Sequence, residues 1–244
     1  SQTVSNMTAI SNPEATLTTV TDEVWSDVVC PWCYIGTRTF ASGIARVEAE
    51  LAEAGVDVAF DVSYHPYQLD PTAAPGVAGP VIDAYAKKFG GPERAEAIIA
   101  NVSERAAEVG LDFRMDRALR ANTLLAHRLI WMAGQPGSPV AQDAMKERLL
   151  RAYFHDGVNI GDPDVLADCA AEVGCDRDEI HEFLASGRGT DEVRAELDHA
   201  SDNGITAVPT YVVNGRWAIP GAQEPETFAQ VLRKMADQAV AEQA

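Results

Sequence analysis

The chain has 244 residues, 46% of them hydrophobic, with 19 Lys and Arg against 37 Asp and Glu for a formal net charge of -18. That length and apolar content suffice for one full core and an inserted second unit, whereas the charge repels phosphate backbones and anionic membrane surfaces and argues against nucleic-acid and membrane-surface binding. No apolar run approaches the roughly 18 residues needed to span a bilayer, and the Ser- and Thr-rich start without basic residues does not read as a signal peptide, so the expected address is cytoplasmic.

In chain order, Ser1 to Thr19 is polar and without periodicity, and is expected to be a loosely ordered tail. Val20 to Val29 reads as a strand that feeds directly into a helix at Cys30-Pro31-Trp32-Cys33. The first turn of a helix carries unpaired N–H groups and the positive end of the macrodipole, and both favour thiolate over thiol. In Cys-x-x-Cys settings the pKa of the first thiol falls from about 8.5 into a range of roughly 3.5 to 7.5, which marks Cys30 as the candidate nucleophile. Pro31 suits the first helical position because it has no N–H to leave unpaired. Cys33 lies one turn on, on the same face, within reach of a disulfide.

Ile35, Phe40, Ile44, Val47 and Leu51 recur at helical spacing to about Ala54, and Gly55 ends the run. Val56 to Tyr64 then alternates as a second strand, so the unit is βαβ with parallel strands. Pro66 to Pro80 reads as loop. From Val81 to Asn203 the pattern turns helical throughout: Val81 to Phe89, Pro92 to Val109, Ala121 to Met132, Val140 to Phe154, Pro163 to Val173, Arg177 to Ala185 and Thr190 to Asn203, with no strand expected between them. Asn214-Gly215 between two apolar runs predicts an antiparallel hairpin, and Pro225 to Ala241 predicts a last helix.

Four cysteines in a chain of this length are too few for a disulfide-stapled secreted scaffold. Cys-x-x-Cys then means redox or metal chemistry, and zinc would need two further ligands in a recognisable spacing. His65, His127, His155, His181 and His199 are scattered singly and read as ordinary surface or packed residues. Redox chemistry without a metal is the expectation. Cys169 and Cys175 form a second pair: on an unbroken helix their separation means a rise of about 9 Å, too far for a disulfide, although Gly174 could fold Cys175 back. An auxiliary redox role and two independent buried thiols both stay open.

The element order, Asp27-Val28-Val29-Cys30-Pro31-Trp32-Cys33-Tyr34-Ile35-Gly36, and Val208-Pro209-Thr210-Tyr211 leading into Asn214-Gly215-Arg216 together resemble the DsbA-like oxidoreductases, and within them the FrnE-like branch. The resemblance implies an α/β thioredoxin fold (βαβ…ββα) spanning 20–80 and 204–244, with a large all-helical insertion at 81–203 after the tail of 1–19. It implies a thiol–disulfide oxidoreductase that oxidises, reduces or isomerises disulfides of proteins or small molecules, with no bound organic cofactor and with glutathione open as a co-substrate. Cys30 would attack the substrate and Cys33 would resolve the mixed disulfide.

The same resemblance implies that Pro209 is a cis-proline beside the cysteines and that Val208 offers backbone groups to an extended substrate, with Pro31 and Trp32 on the substrate side. Trp32 has two readings, contact with an apolar substrate segment or packing against the insertion. Asp27 could influence proton transfer at Cys33 or simply cap the strand end. The position six before Cys30, where DsbA-like proteins can carry a buried acid, is Val24, and no buried carboxylate is carried over there. Two other functions fit the fold: a glutathione-dependent isomerase or transferase of the 2-hydroxychromene-2-carboxylate isomerase or kappa-class type, which usually presents a serine where this chain has Cys30, and a non-enzymatic, chaperone-like peptide binder.

Overall fold

The computed structural model describes residues 17–244. The expected tail falls almost wholly outside them, and its last residues, Thr18 and Thr19, already belong to strand β1 (Thr18–Ser26). β1 therefore starts earlier than its apolar run suggests and ends earlier, because Asp27 makes a turn. The Asp27 carboxylate accepts the Val28 N–H at 2.9 Å and its carbonyl accepts the Cys30 N–H at 3.2 Å. A short turn thus stands between the strand and the helix.

Along β1 the side chains of Thr18, Val20, Asp22 and Val24 are buried, whereas Thr19 and Thr21 point to solvent, the period-2 alternation of a strand with one covered face. β2 (Val58–Pro66) pairs parallel to β1 and β5 (Thr210–Val213) antiparallel on its other side, with β6 (Trp217–Pro220) beyond, giving the order β2-β1-β5-β6. The β5–β6 turn places Asn214 and Gly215 at φ of 50° and 65°, as the Asn-Gly dipeptide requires. Helices α1 (Pro31–Glu53) and α9 (Pro225–Glu242) cover one face of the sheet, where Val20, Val24, Phe40, Val47, Phe228 and Leu232 form a core. A fully buried side chain of this size contributes roughly 1.5–3 kcal/mol. Glycine lets α1 approach closely: a Cβ at Gly43 would stand 2.7 Å from that of Phe228, and one at Gly36 would collide with the Tyr211 hydroxyl.

Between β2 and β5 the chain is helical: α2 (Val81–Phe89), α3 (Pro92–Glu108), α4 (Leu124–Ala133), α5 (Gln142–Arg151), α6 (Pro163–Glu172), α7 (Arg177–Ser186) and α8 (Thr190–Asp202). Three details depart from the sequence pattern. Gly79–Pro80 (β3) and Leu119–Arg120 (β4) form a two-residue antiparallel bridge, so a minimal strand does enter this block. α4 begins at Leu124 rather than Ala121, because the Asn122 side chain accepts the Leu124 N–H at 2.9 Å and holds a turn there. The Val140–Phe154 run starts at Gln142 and ends in a wide π-helical turn, Ala152–Asp156.

These helices have their own core, built on Leu129, Leu149, Phe154 and Leu166, and it reaches into the cysteine motif by including Val28, Val29, Tyr34 and Ile35. The start of α1 therefore sits on the seam between two cores. Tyr34 and Arg38 lock that seam: the Tyr34 hydroxyl donates to Glu147 on α5 at 2.9 Å, and the Arg38 guanidinium makes a two-pronged contact to the same carboxylate at 2.6 and 2.8 Å. Among the described residues no helix is long and apolar enough to cross a membrane.

Candidate active site

Cys30 caps α1. Its backbone is extended, at φ -90° and ψ 115°, and its sulfur accepts the Cys33 N–H at 3.2 Å, with Pro31 in the first helical turn. An N–H that would otherwise be unpaired at a helix start thus points at the sulfur. The Cys30 thiol also reaches the Val208 carbonyl at 3.8 Å. The Val208–Pro209 bond is cis, and its loop is pinned on several sides: Tyr67 Oη donates to the Thr206 carbonyl at 3.0 Å, Thr210 Oγ1 to the Ala207 carbonyl at 2.8 Å, and the Gly221 N–H to the Pro209 carbonyl at 2.8 Å. Residues 178 positions apart are so brought into contact at one sulfur.

Cys30 and Cys33 are both buried, at 3% and 2% exposure. Burial pushes the Cys33 thiol well above its usual range, and the adjacent Cys30 sulfur adds to the effect, whereas Lys146 and a main-chain hydrogen bond from Asp27 pull the other way. Trp32 is half-buried and packs against the core of the helical block.

Asp27 is fully buried and fully bonded. Besides the Val28 N–H, it accepts the Leu69 N–H at 2.9 Å through its second oxygen, and His127 Nε2 stands 2.9 Å from the first. It therefore caps the turn, ties the following loop to it and receives α4. His127 is 2% exposed and also lies 3.0 Å from the Tyr67 carbonyl. Val24, the position without a carboxylate, is buried in the core under α1.

Two residues of this site were not singled out from the sequence, and both left a trace there. His127 lies in Leu-Leu-Ala-His-Arg-Leu-Ile-Trp-Met-Ala, a helix apolar almost all round, and such a helix is buried together with its polar residues. Lys146 sits three and four residues before Leu149 and Leu150, on the apolar stripe of α5. It is 2% exposed, its amine donates to Ser26 Oγ, and it stands 5.0 Å over the Tyr64 ring. Burial pushes its pKa down, opposed by the nearby Cys33, Asp27 and Cys30.

Cys169 and Cys175 lie elsewhere, at the end of α6. Gly174 takes φ of +113° and lets the Cys175 N–H return to the Ala170 carbonyl at 3.0 Å, a helix-terminating turn. Both thiols are free and buried, and burial raises the pKa of each.

A family model described as a DSBA-like thioredoxin domain matches residues 22–233. A probable DsbA oxidoreductase from Streptomyces coelicolor is 30% identical, and its crystal structure superposes with a TM-score of 0.78 over 88% of this chain and 89% of that one. The uncharacterized protein YwbO of Bacillus subtilis (strain 168) is 29% identical over 216 residues, covering 88% of this chain and 96% of that protein. The cytosolic disulfide reductase DsbM from Pseudomonas aeruginosa, in its structure with glutathione, is 18% identical with a TM-score of 0.57 over 89% and 99% of the two chains, a likeness of fold.

Proposed function

The chain belongs to the DsbA-like thioredoxin-domain family, whose homologues are thiol–disulfide oxidoreductases, and we propose that it exchanges disulfides through Cys30 and Cys33. The observation that carries this reading is the Cys30 sulfur at the start of α1, accepting the Cys33 N–H at 3.2 Å beside the cis Val208–Pro209 bond. A negative sulfur placed there is stabilised by the donor it already holds and by the helix terminus. Cys30 attacks a substrate disulfide and Cys33, one turn on, resolves the mixed disulfide that Cys30 forms. Val208 offers its main chain to an extended disulfide-bearing segment, with Pro31, Trp32 and Pro209 beside it.

The substrate is the disulfide or thiol of a protein or small molecule, with glutathione as a candidate co-substrate and no metal or organic cofactor in the step. A FrnE-like subtype and a cytoplasmic address complete the reading, supported by the sequence around Cys30 and Val208 and by sparse cysteine usage. Two thiols one helical turn apart favour exchange over a glutathione-dependent isomerase, which needs no second sulfur. Reduction of insulin disulfides by the wild type and by Cys30→Ser tests the proposal: activity lost in the variant supports it, and equal activity in both removes it.

A further inference from the structure

Lys146 is a buried amine that the exchange reaction as described does not use. Taking an ammonium out of water costs several kcal/mol unless it is paired, and here the contacts of the amine are the Ser26 hydroxyl and the Tyr64 ring. Asp27 is near, but its oxygens are occupied by the Val28 and Leu69 N–H groups and by His127. Besides Asp27, the acidic groups whose charge favours the ammonium form of Lys146 are the two thiols of α1, Cys33 first. Both Lys146 and Cys33 pack against Ser26-Asp27: the amine bonds the Ser26 side chain, and the Asp27 main chain hydrogen-bonds the Cys33 sulfur. The Arg38–Glu147 and Tyr34–Glu147 contacts fix α5 against α1 one residue from Lys146. Lys146 also lines a cavity of about 480 Å³ with Thr37, Arg38, Tyr64, Asp143 and Glu147, which is open to solvent.

Resting on the exchange reading above, we propose that the Lys146 amine takes the proton of Cys33 in the resolving step and returns it in the reverse direction. The Cys33 S–H bond breaks and its proton passes to the Nζ lone pair. The Cys33 sulfur, now anionic, attacks Cys30 in the mixed disulfide, the bond from Cys30 to the substrate sulfur breaks, and the substrate leaves as a thiolate with that electron pair. Cys30 and Cys33 are oxidised to their disulfide and the substrate sulfur is reduced. Lys146 is left as an ammonium and discharges its proton to solvent through the cavity. The groups facing the amine are Ser26 and Asp27 with its partner His127, Cys30 and Cys33 from α1, and Tyr64 from β2, with Asp143 and Glu147 on its own helix.

Reduced protein mixed with excess glutathione disulfide, quenched with acid and weighed intact by mass spectrometry, reads capture and resolution separately. Lys146→Met, close in length and volume, and Lys146→Gln, which keeps a donor for Ser26, are each confirmed as folded by cooperative thermal unfolding. The expected result is an accumulating glutathione adduct, with resolution slowed on the order of 10²-fold near neutral pH and recovering as pH rises and hydroxide replaces the amine. Capture by Cys30 keeps its wild-type rate. Wild-type resolution and pH profile in either folded variant overturn the proposal, and a general loss of capture with no adduct does so too, since a purely structural role would produce it. If Cys30→Ser is inactive while Lys146→Met resolves normally, only the role of Lys146 falls. If Cys30→Ser retains activity, the exchange reading itself falls.

Discussion

The chain carries two pairs of cysteines, all four buried, and the surroundings of the two pairs differ. Cys30 and Cys33 stand at the start of α1, where a backbone N–H points at the first sulfur and a buried lysine acts on the second. Cys169 and Cys175 stand at the end of α6, where the free groups are carbonyls and the helix terminus disfavours an anion. Burial raises the Cys169 and Cys175 thiols, with the acidic neighbour Glu179 adding to the effect at Cys175 and Arg148 opposing it at Cys169. The residue type is shared and the surroundings are not: on the proposed reading, what decides is which end of a helix a sulfur occupies and which donors surround it.

The largest expected effect breaks this comparison at its centre. Cys30→Ser should lower insulin-disulfide reduction by several orders of magnitude, as removal of a nucleophile does, while Cys169→Ser and Cys175→Ser should leave the rate unchanged. Comparable losses in both pairs would erase the distinction. Next comes the support beneath the first pair. Asp27→Ala leaves the Val28 and Leu69 N–H groups and His127 without their partner, and should cost about 3–5 kcal/mol in urea-induced unfolding.

Asp22 shows what such a carboxyl does without partners. It lies in the sheet face under α1, five residues before Asp27, and among the described residues neither of its oxygens has a hydrogen-bond partner. Burial, helped by Asp61, pushes its pKa from 3.8 up to about 7. The folded state thus holds the Asp22 proton more tightly than the unfolded state. Its contribution is fully present below pH 3.8 and is lost as pH rises to about 7, an effect on the order of 4 kcal/mol. Asp22→Asn should flatten that part of the stability profile and be the more stable protein at pH 8. An unchanged slope between pH 4 and 7 would contradict this origin. The smallest effect should be Cys169→Ala, with a cost of about 1 kcal/mol and no change in activity.

The parts of this molecule that were readable in the sequence are those fixed by neighbours along the chain. α2 occupies the residues its pattern indicates, Asn214-Gly215 makes its hairpin, and the Cys-Pro-Trp-Cys segment opens a helix. Strand ends were less readable, because a side chain such as Asp27 can stop a strand within an apolar run. What the pattern could not supply is the meeting of Asp27 with His127, 100 positions apart, or of Ser26 with Lys146, 120 positions apart. Those contacts exist because the helical block folds back onto the seam at the start of α1. A histidine in a largely apolar helix and a lysine on an apolar stripe are signs of burial, but not of what lies beside them.

The most direct measurement of the central claim is to locate the captured substrate. Cys33→Ser protein treated with glutathione disulfide and mapped by peptide mass spectrometry should carry one glutathione, on Cys30, and Cys30→Ser protein treated alike should carry none on Cys33. An adduct on Cys169 or Cys175 in preference to Cys30, or capture at Cys33 in the absence of Cys30, would contradict the account.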